Sequence, residues 1–312
     1  MLVAVIAIVA YFIFLALNIS GIKVAAVFEL VITAVAVAAI LIFCGLLFPH
    51  FNSSNISLEA FPNGWEGVLA ATPFAIWFFL GIEGVANLAE ETLQPKRTLL
   101  LGFGSAITTL VVLCVLTFLS SIGIGGWKSI VFTASGSVSD SPLPMAVQQV
   151  NGAPAWNTLI TVAGLFGLVA SFHGLILAAG RSTYEFCKAG YGPALLTTLN
   201  ARFKTPATAL TVNALIGIVA VISGKTGEVI TIAVFGALTI YIISMLSLLR
   251  LRKSHPDMER PFRVPFYPWF PVIALIISVL SFIAVAVYNL KLAGLYAALL
   301  VGSYVLYKLV KK

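Results

Sequence analysis

Charge is what this sequence has least of. Asp and Glu number 11 and Lys and Arg 18 in 312 residues, so 9% of the chain is charged, against about 25% in an ordinary soluble domain. With 60% hydrophobic residues and a mean hydropathy of +1.07, no soluble surface can be assembled from this composition. Cysteine and histidine are scarce as well, at three each. Cys44, Cys114 and Cys187 are odd in number, widely spaced and set within or at the ends of apolar runs, which excludes a disulfide framework and a zinc pattern. The sequence also lacks H-E-x-x-H, G-x-S-x-G and paired acids inside an apolar run, while His50, His173 and His255 fall in separate regions. A membrane-embedded enzyme would need such a set at one depth, so no enzyme, metal or cofactor is expected.

What is present is a series of apolar runs, each long enough to cross the roughly 30 Å hydrocarbon layer of a bilayer. Nine occur, at about 2–17, 24–48, 68–89, 99–124, 156–180, 207–223, 228–249, 267–288 and 292–310; they are called segments 1 to 9. Closed barrels also satisfy every backbone group in lipid, but they read as short alternating strands, and these runs are continuous. The expected fold is therefore an all-α integral membrane bundle of nine transmembrane helices.

The net charge of +7 would point to nucleic acid in a soluble protein; here the basic residues act as topology signals, and no nucleic-acid partner is expected. With a cytoplasmic C-terminus, Lys23, Lys96, Arg97, Arg181, Lys188, Arg202, Lys204, Arg250, Arg252, Lys253, Arg260, Arg263, Lys308, Lys311 and Lys312 lie inside. Only Lys128, Lys225 and Lys291 then lie outside. A missed or invented helix would scramble every later loop, so this asymmetry supports the count and a multi-pass protein of the cell membrane. An odd count places Met1 outside. No Lys or Arg precedes the first run and no signal-peptide pattern is visible, so further helices ahead of Met1 are expected.

Segment 3 departs furthest from plain lipid-facing helix, in Trp77-Phe78-Phe79-Leu80-Gly81-Ile82-Glu83-Gly84. A charge near the bilayer centre costs roughly 2.5–3.5 kcal/mol on insertion scales, so Glu83 should face a cavity or a partner, or be protonated. Gly81 and Gly84 flank it and Pro73 precedes it by a few turns, which predicts a break in the helix between Leu80 and Val85. A broken helix frees carbonyls at the negative end of its first half, a combination that suits an ammonium group, and Trp77 can cover a cation with its face. Trp77, Gly81, Ile82, Glu83 and Gly84 are thus the candidate substrate-binding residues. The alternative is a buried pair for Glu83 and packing for the aromatics.

Segment 3 ends in Glu90-Glu91, followed by Pro95-Lys96-Arg97. Acids at a helix C-terminus oppose its dipole and call for nearby cations, so Glu90, Glu91, Lys96 and Arg97 read as an interfacial charge cluster or an inner gate. Segment 5 carries Gly164, Gly167, Ser171, Gly174 and Ala178 as one stripe of small residues, a packing face for a neighbouring helix. His173 sits one residue off that stripe and is either a satisfied hydrogen-bonding residue or a coupling group. From Arg181 to Pro206 the chain reads as an amphipathic cytoplasmic connection with a helical portion along the membrane surface. Asn52-Ser53-Ser54 and Asn55-Ile56-Ser57 fit the glycosylation sequon as well as an ordinary polar loop.

These residues resemble the amino acid/polyamine/organocation transporters and, within them, the ethanolamine permease branch. The most specific stretch is FFLGIEGVANLAEETLQPKR, Phe78 to Arg97, which is similar to the sixth family helix and its following loop. SFHGLILAAGRSTYEFCKAGYGP, Ser171 to Pro193, is similar to the eighth, and RPFRVPFYPWFP, Arg260 to Pro271, to the entry into the eleventh.

The resemblance implies that segments 1 to 9 are family helices four to twelve of a five-plus-five inverted-repeat fold. Residues 1–48 would be a remnant of the first repeat, 68–249 the second repeat and 267–312 two C-terminal helices, all within a single transmembrane domain. It implies a secondary transporter moving a small amine or amino acid, with ethanolamine as one substrate, by alternating access; an amino acid exchanger is the alternative. A non-transporting membrane receptor or assembly subunit is the other reading of a chain that begins at Met1. The resemblance also places Trp77 and Glu83 at the central site and its gate. Family helices one to three, which supply half of that site, would be absent. Some relatives carry a coupling lysine in the middle of helix five; segment 2 has small and aliphatic residues around Ala36, and its one acid, Glu29, lies nearer the cytoplasmic end. Proton and sodium both remain open as coupling ions.

Overall fold

The computed structural model describes residues 2–57, 62–85, 94–139, 141–150, 154–260, 264 and 266–310. Thirteen α-helices run through them in chain order: α1 (Leu2–Ile19), α2 (Ile22–Leu47), α3 (Ser54–Ser57), α4 (Gly64–Ala70), α5 (Thr72–Trp77), α6 (Pro95–Gly125) and α7 (Lys128–Val131), then α8 (Pro142–Gln149), α9 (Pro154–Phe186), α10 (Ala207–Ser223), α11 (Thr226–Ser254), α12 (Trp269–Tyr288) and α13 (Leu290–Val310). One isolated bridge between Phe132 and Val138 is the β-pairing recorded among the described residues. The all-α membrane fold follows from the composition, because a helix closes its own backbone hydrogen bonds where lipid offers none.

Each long helix starts and stops where the local chemistry dictates. Pro95 opens α6 at a position whose N–H would have no partner, and Gly126, at φ 78°, takes the chain away from its other end. Gly224 closes α10 in the left-handed conformation, at φ 67°. Among the described residues six helices are long and apolar enough to cross a membrane, or seven if the bent pair α4 and 72–85 is one span. The remaining two of the nine expected segments are α1 and α10, whose apolar parts are shorter. The 17 residues of α10 rise about 26 Å, somewhat less than a full hydrocarbon layer.

Packing divides into three apolar clusters. Phe43, Cys44 and Leu47 of α2 meet Ile122, Ile130, Val147 and Ile160 at one end of the bundle. Phe14 and Leu15 of α1 meet Ile176 of α9 and Leu210 and Ala214 of α10. Val234, Phe235 and Leu238 of α11 meet Val285 of α12, with Tyr296 of α13 stacked on Phe235 at 5.5 Å. Helices α1, α2, α9 and α10 thus form one packed group and α5, α11, α12 and α13 another.

The stretch from Arg181 to Pro206 is a connection with helical portions at its start and middle. Helix α9 continues to Phe186, a π-turn follows over Cys187–Tyr191, and the short helical piece is only Ala194–Thr197. Gly190 at φ 86° ends the run, and the chain starts again as a short helical piece directly after Pro193. The polar half of the connection folds back: Thr205 Oγ1 donates to the Ile19 carbonyl at 2.8 Å, tying it to the end of α1.

Candidate functional site

Segment 3 is interrupted twice. Helices α4 and α5 meet at Ala71, just ahead of Pro73, with a 41° bend between α4 and 72–85. After Trp77 the backbone bonds shorten to three-residue steps: the Phe79 N–H donates to Ile76 at 2.9 Å, Leu80 to Trp77 at 3.2 Å and Gly84 to Gly81 at 2.9 Å. Gly81 stands at φ 91° between them, in the region open to glycine and strained for any side chain. The break therefore starts at Phe78, earlier than the glycines alone imply, and continues as a 3₁₀ stretch through Val85.

This broken stretch borders a cavity of about 630 Å³. Trp77, Phe78, Leu80, Gly81, Glu83 and Gly84 form one wall. The facing walls are Ser171, Leu175 and Ala178 of α9 and Ala233, Gly236 and Ile240 of α11. Small residues on both helices leave the space, and one carboxylate supplies its charge. Tyr241 of α11 donates its hydroxyl to Glu83 Oε2 at 3.3 Å, a long bond that leaves most of the carboxylate's acceptor capacity for another group.

The small-residue stripe of α9 packs against two neighbours at once. On one side it receives the broken stretch: a Cβ on Gly81 would stand 3.1 Å from Leu175 Cδ2, and one on Gly84 3.3 Å from the Cβ of Ala178. On the other it receives α2, with the Ala36 Cβ 3.7 Å from a Cβ placed on Gly167 and Glu29 Oε1 3.4 Å from one on Gly174. Glu29 meets His173 there, Oε2 to Nδ1 at 2.8 Å, with the imidazole fully buried. A smaller cavity of about 280 Å³ adjoins this contact and is lined by Glu29, Gly81, Gly84, Gly174 and Arg181, among others. Asn18 of α1 is buried beside it and donates to the carbonyls of Phe14 at 3.0 Å and His173 at 3.3 Å.

Of the residues singled out in the sequence, Trp77, Gly81, Glu83 and Gly84 are brought together on the larger cavity, while Ile82 lines neither cavity. The turn after Gly81 carries it off that wall. Glu90 and Glu91 lie outside the described residues, as does the side chain of Lys96, and Arg97 is exposed in the first turn of α6. His173 lies on the wall of α9 that meets α2, with Glu29 as its partner. Tyr241 was missed, although a hydroxyl inside the apolar run Thr239-Ile240-Tyr241-Ile242 is a legible signal. No group of three or more His, Cys, Asp and Glu that could hold a metal occurs among the described residues.

Comparison with known proteins bears on the family. An amino acid permease family model matches residues 1–303. An uncharacterized transporter of Rhizobium meliloti is 28% identical over 295 residues, covering 92% of this chain and 62% of its own length. The methylthioribose transporter of Bacillus subtilis is 28% identical over 257 residues, covering 81% and 53%. A branched-chain amino acid permease of the same organism is 24% identical over 220 residues, covering 69% and 45%. This chain therefore spans about half to three-fifths of the length of these relatives. With its apolar helices, its broken segment and a match along nearly the whole sequence, the chain belongs to the amino acid permease family of the amino acid/polyamine/organocation superfamily.

Proposed function

We propose that this chain carries one part of the substrate site of a secondary transporter that moves a small amine or amino acid, ethanolamine among the substrates, by alternating access. The observation that carries the reading is Glu83, a carboxylate held on the wall of a membrane cavity by a helix that breaks at Gly81. A cavity of about 630 Å³ lies within the usual range for small-molecule sites. A carboxylate whose hydrogen bond among the described residues is the long one to Tyr241 favours an ammonium group, and Trp77, 39% exposed at the same wall, can close over it.

In this reading residues 68–249 form the second inverted repeat, residues 1–48 belong to the first, and 267–312 are two C-terminal helices. The protein sits in the cell membrane with its C-terminus in the cytoplasm, as the placement of its basic residues supports. Impermeant labelling of single cysteines in the loops around Lys96 and Arg252 tests the orientation; labelling of both from outside intact cells would reverse it.

Radiolabelled uptake by the full-length protein, competed with ethanolamine and a panel of amino acids, tests the substrate. Trp77→Leu should slow turnover more than it weakens binding. Uptake of none of these compounds above empty-vesicle background would overturn the transport reading.

A further inference from the structure

Next to the substrate cavity lies a titratable pair that binding at Glu83 does not need. His173 is fully buried and its Nδ1 stands 2.8 Å from Glu29 Oε2, while the Glu29 side chain keeps 36% of its exposure. The carboxylate thus contacts a buried imidazole and also lines the smaller cavity. Leu80, Gly81, Gly84, Ser171, Leu175 and Ala178 line both that cavity and the one containing Glu83. The two spaces are neighbours across the broken stretch. Nε2 of His173 and Oδ1 of Asn18 are both buried without a hydrogen-bond partner, although Asn18 Nδ2 bonds the His173 carbonyl at 3.3 Å. A proton on Nε2 would make it a donor, the kind of group the neighbouring Asn18 Oδ1 lacks.

We propose that Glu29 and His173 form a proton-binding pair linked to cation occupancy of the adjoining cavities, so that a cationic substrate reaching the broken stretch displaces the proton. The inference rests on the transport reading above for its linkage to substrate, but not for the proton site itself. With His173 protonated, the pair is neutral overall. With His173 neutral and Glu29 ionised, it carries one negative charge on the lining of the smaller cavity, beside the protein interior, where charge is screened less than in bulk water. A proton and a cationic amine therefore compete for the same field, and linkage makes the effect reciprocal.

The other charged and titratable groups around the pair are few. Arg181 of α9 lines the same cavity and stays charged throughout, and Glu83 lines the larger cavity next to it. Lys23 lies on α2 below Glu29, Glu185 follows Arg181 on α9, and Lys96 and Arg97 occur only at the start of α6. Helix α1 brings Tyr11 and no acid or base, and α8 and α10 bring none. Among the described residues, Glu83 is the other carboxylate on these cavities whose titration could be mistaken for that of the pair.

The test begins without any substrate. His50 and His255 are exposed, so in the full-length protein carrying His50→Gln and His255→Gln the nitrogen-15 histidine signal that disappears on further replacing His173 by Gln is assigned to His173. Acidification should protonate His173, and Glu29→Gln should displace that change. An imidazole that stays neutral throughout, or that titrates identically in Glu29→Gln, overturns the pair. In proteoliposomes, the apparent affinity for ethanolamine should fall about tenfold as the solution is acidified by two units, and His173→Gln should flatten that dependence while retaining uptake at neutral pH. A dependence that survives His173→Gln and disappears in Glu83→Gln assigns the proton to Glu83 and overturns the linkage. Absence of uptake of ethanolamine and of every amino acid in the panel would count against the transport reading, while the NMR titration still decides the proton site.

Discussion

Helix α9 and the segment from Gly64 to Val85 are both apolar, both rich in glycine, and both walls of the same cavities, yet one is unbroken over 33 residues and the other bends at Ala71 and breaks after Trp77. The glycines of α9 keep helical geometry, because at Gly167 and Gly174 the missing side chain lets α2 approach, and at Ser171 to Ala178 the broken stretch fits against the same face. Close packing over that whole face outweighs the roughly 1 kcal/mol that each helical glycine costs. Gly81 acts differently, because at φ 91° it turns the chain where a carboxylate must leave lipid for a cavity. Glycine in a membrane helix is therefore neither a breaker nor a packing residue by type; the neighbours decide.

Four substitutions probe this contrast. Gly81→Ala should be the most damaging, since the new Cβ is strained by the backbone and stands 3.1 Å from Leu175; a cost of about 1–3 kcal/mol and a loss of uptake of tenfold or more are expected. Normal uptake and thermal stability in that variant would show that the turn is dispensable. Glu83→Gln removes the charge and keeps the shape, so the apparent substrate constant should rise about tenfold, equivalent to about 1.4 kcal/mol. A constant unchanged for both ethanolamine and amino acids would reduce Glu83 to a packing residue.

Tyr241→Phe deletes a single long hydrogen bond to Glu83. Its effect on substrate binding should stay within about 0.5–1.5 kcal/mol. A larger loss would mean that Tyr241 touches substrate directly. Gly164→Ala is the mildest and has the opposite sign: nothing lies within 4 Å of the added Cβ, so thermal unfolding in detergent should move upward by the equivalent of up to about 1 kcal/mol. Destabilisation there would mean that a further chain packs on this end of α9.

The candidate site was only partly legible in sequence. Glu83 stood out because a carboxylate between glycines in an apolar run violates the composition of everything around it, and Trp77, Gly81 and Gly84 follow from their spacing to it. Ile82 was drawn in by adjacency alone, and the turn at Gly81 removes it from the wall. The bend at Ala71 could be anticipated from Pro73 only as a weakness, not as a place. Glu29 and His173 are separated by 144 positions, and each by itself reads as an isolated polar residue. Their contact depends on how α2 crosses the stripe of α9, which periodicity identifies as a packing face without naming the helix that packs there. Tyr241 reaches Glu83 in the same way, across 158 positions.

Sequence alone dictates the solvent and the element type: too little charge for a water-facing surface and runs long enough for lipid leave the helix as the structure that satisfies its own backbone. It also locates Glu83, a carboxylate between glycines whose place in an apolar run needs an explanation. Tertiary packing decides where the chain bends, which helix faces which, and that one helix break borders two cavities, one beside Glu83 and one beside Glu29 and His173. In a bundle whose inner and outer faces are both apolar, hydrophobic pattern marks no inside, so the pairing of faces is settled by close fit between small residues and by the few polar groups that must find one another.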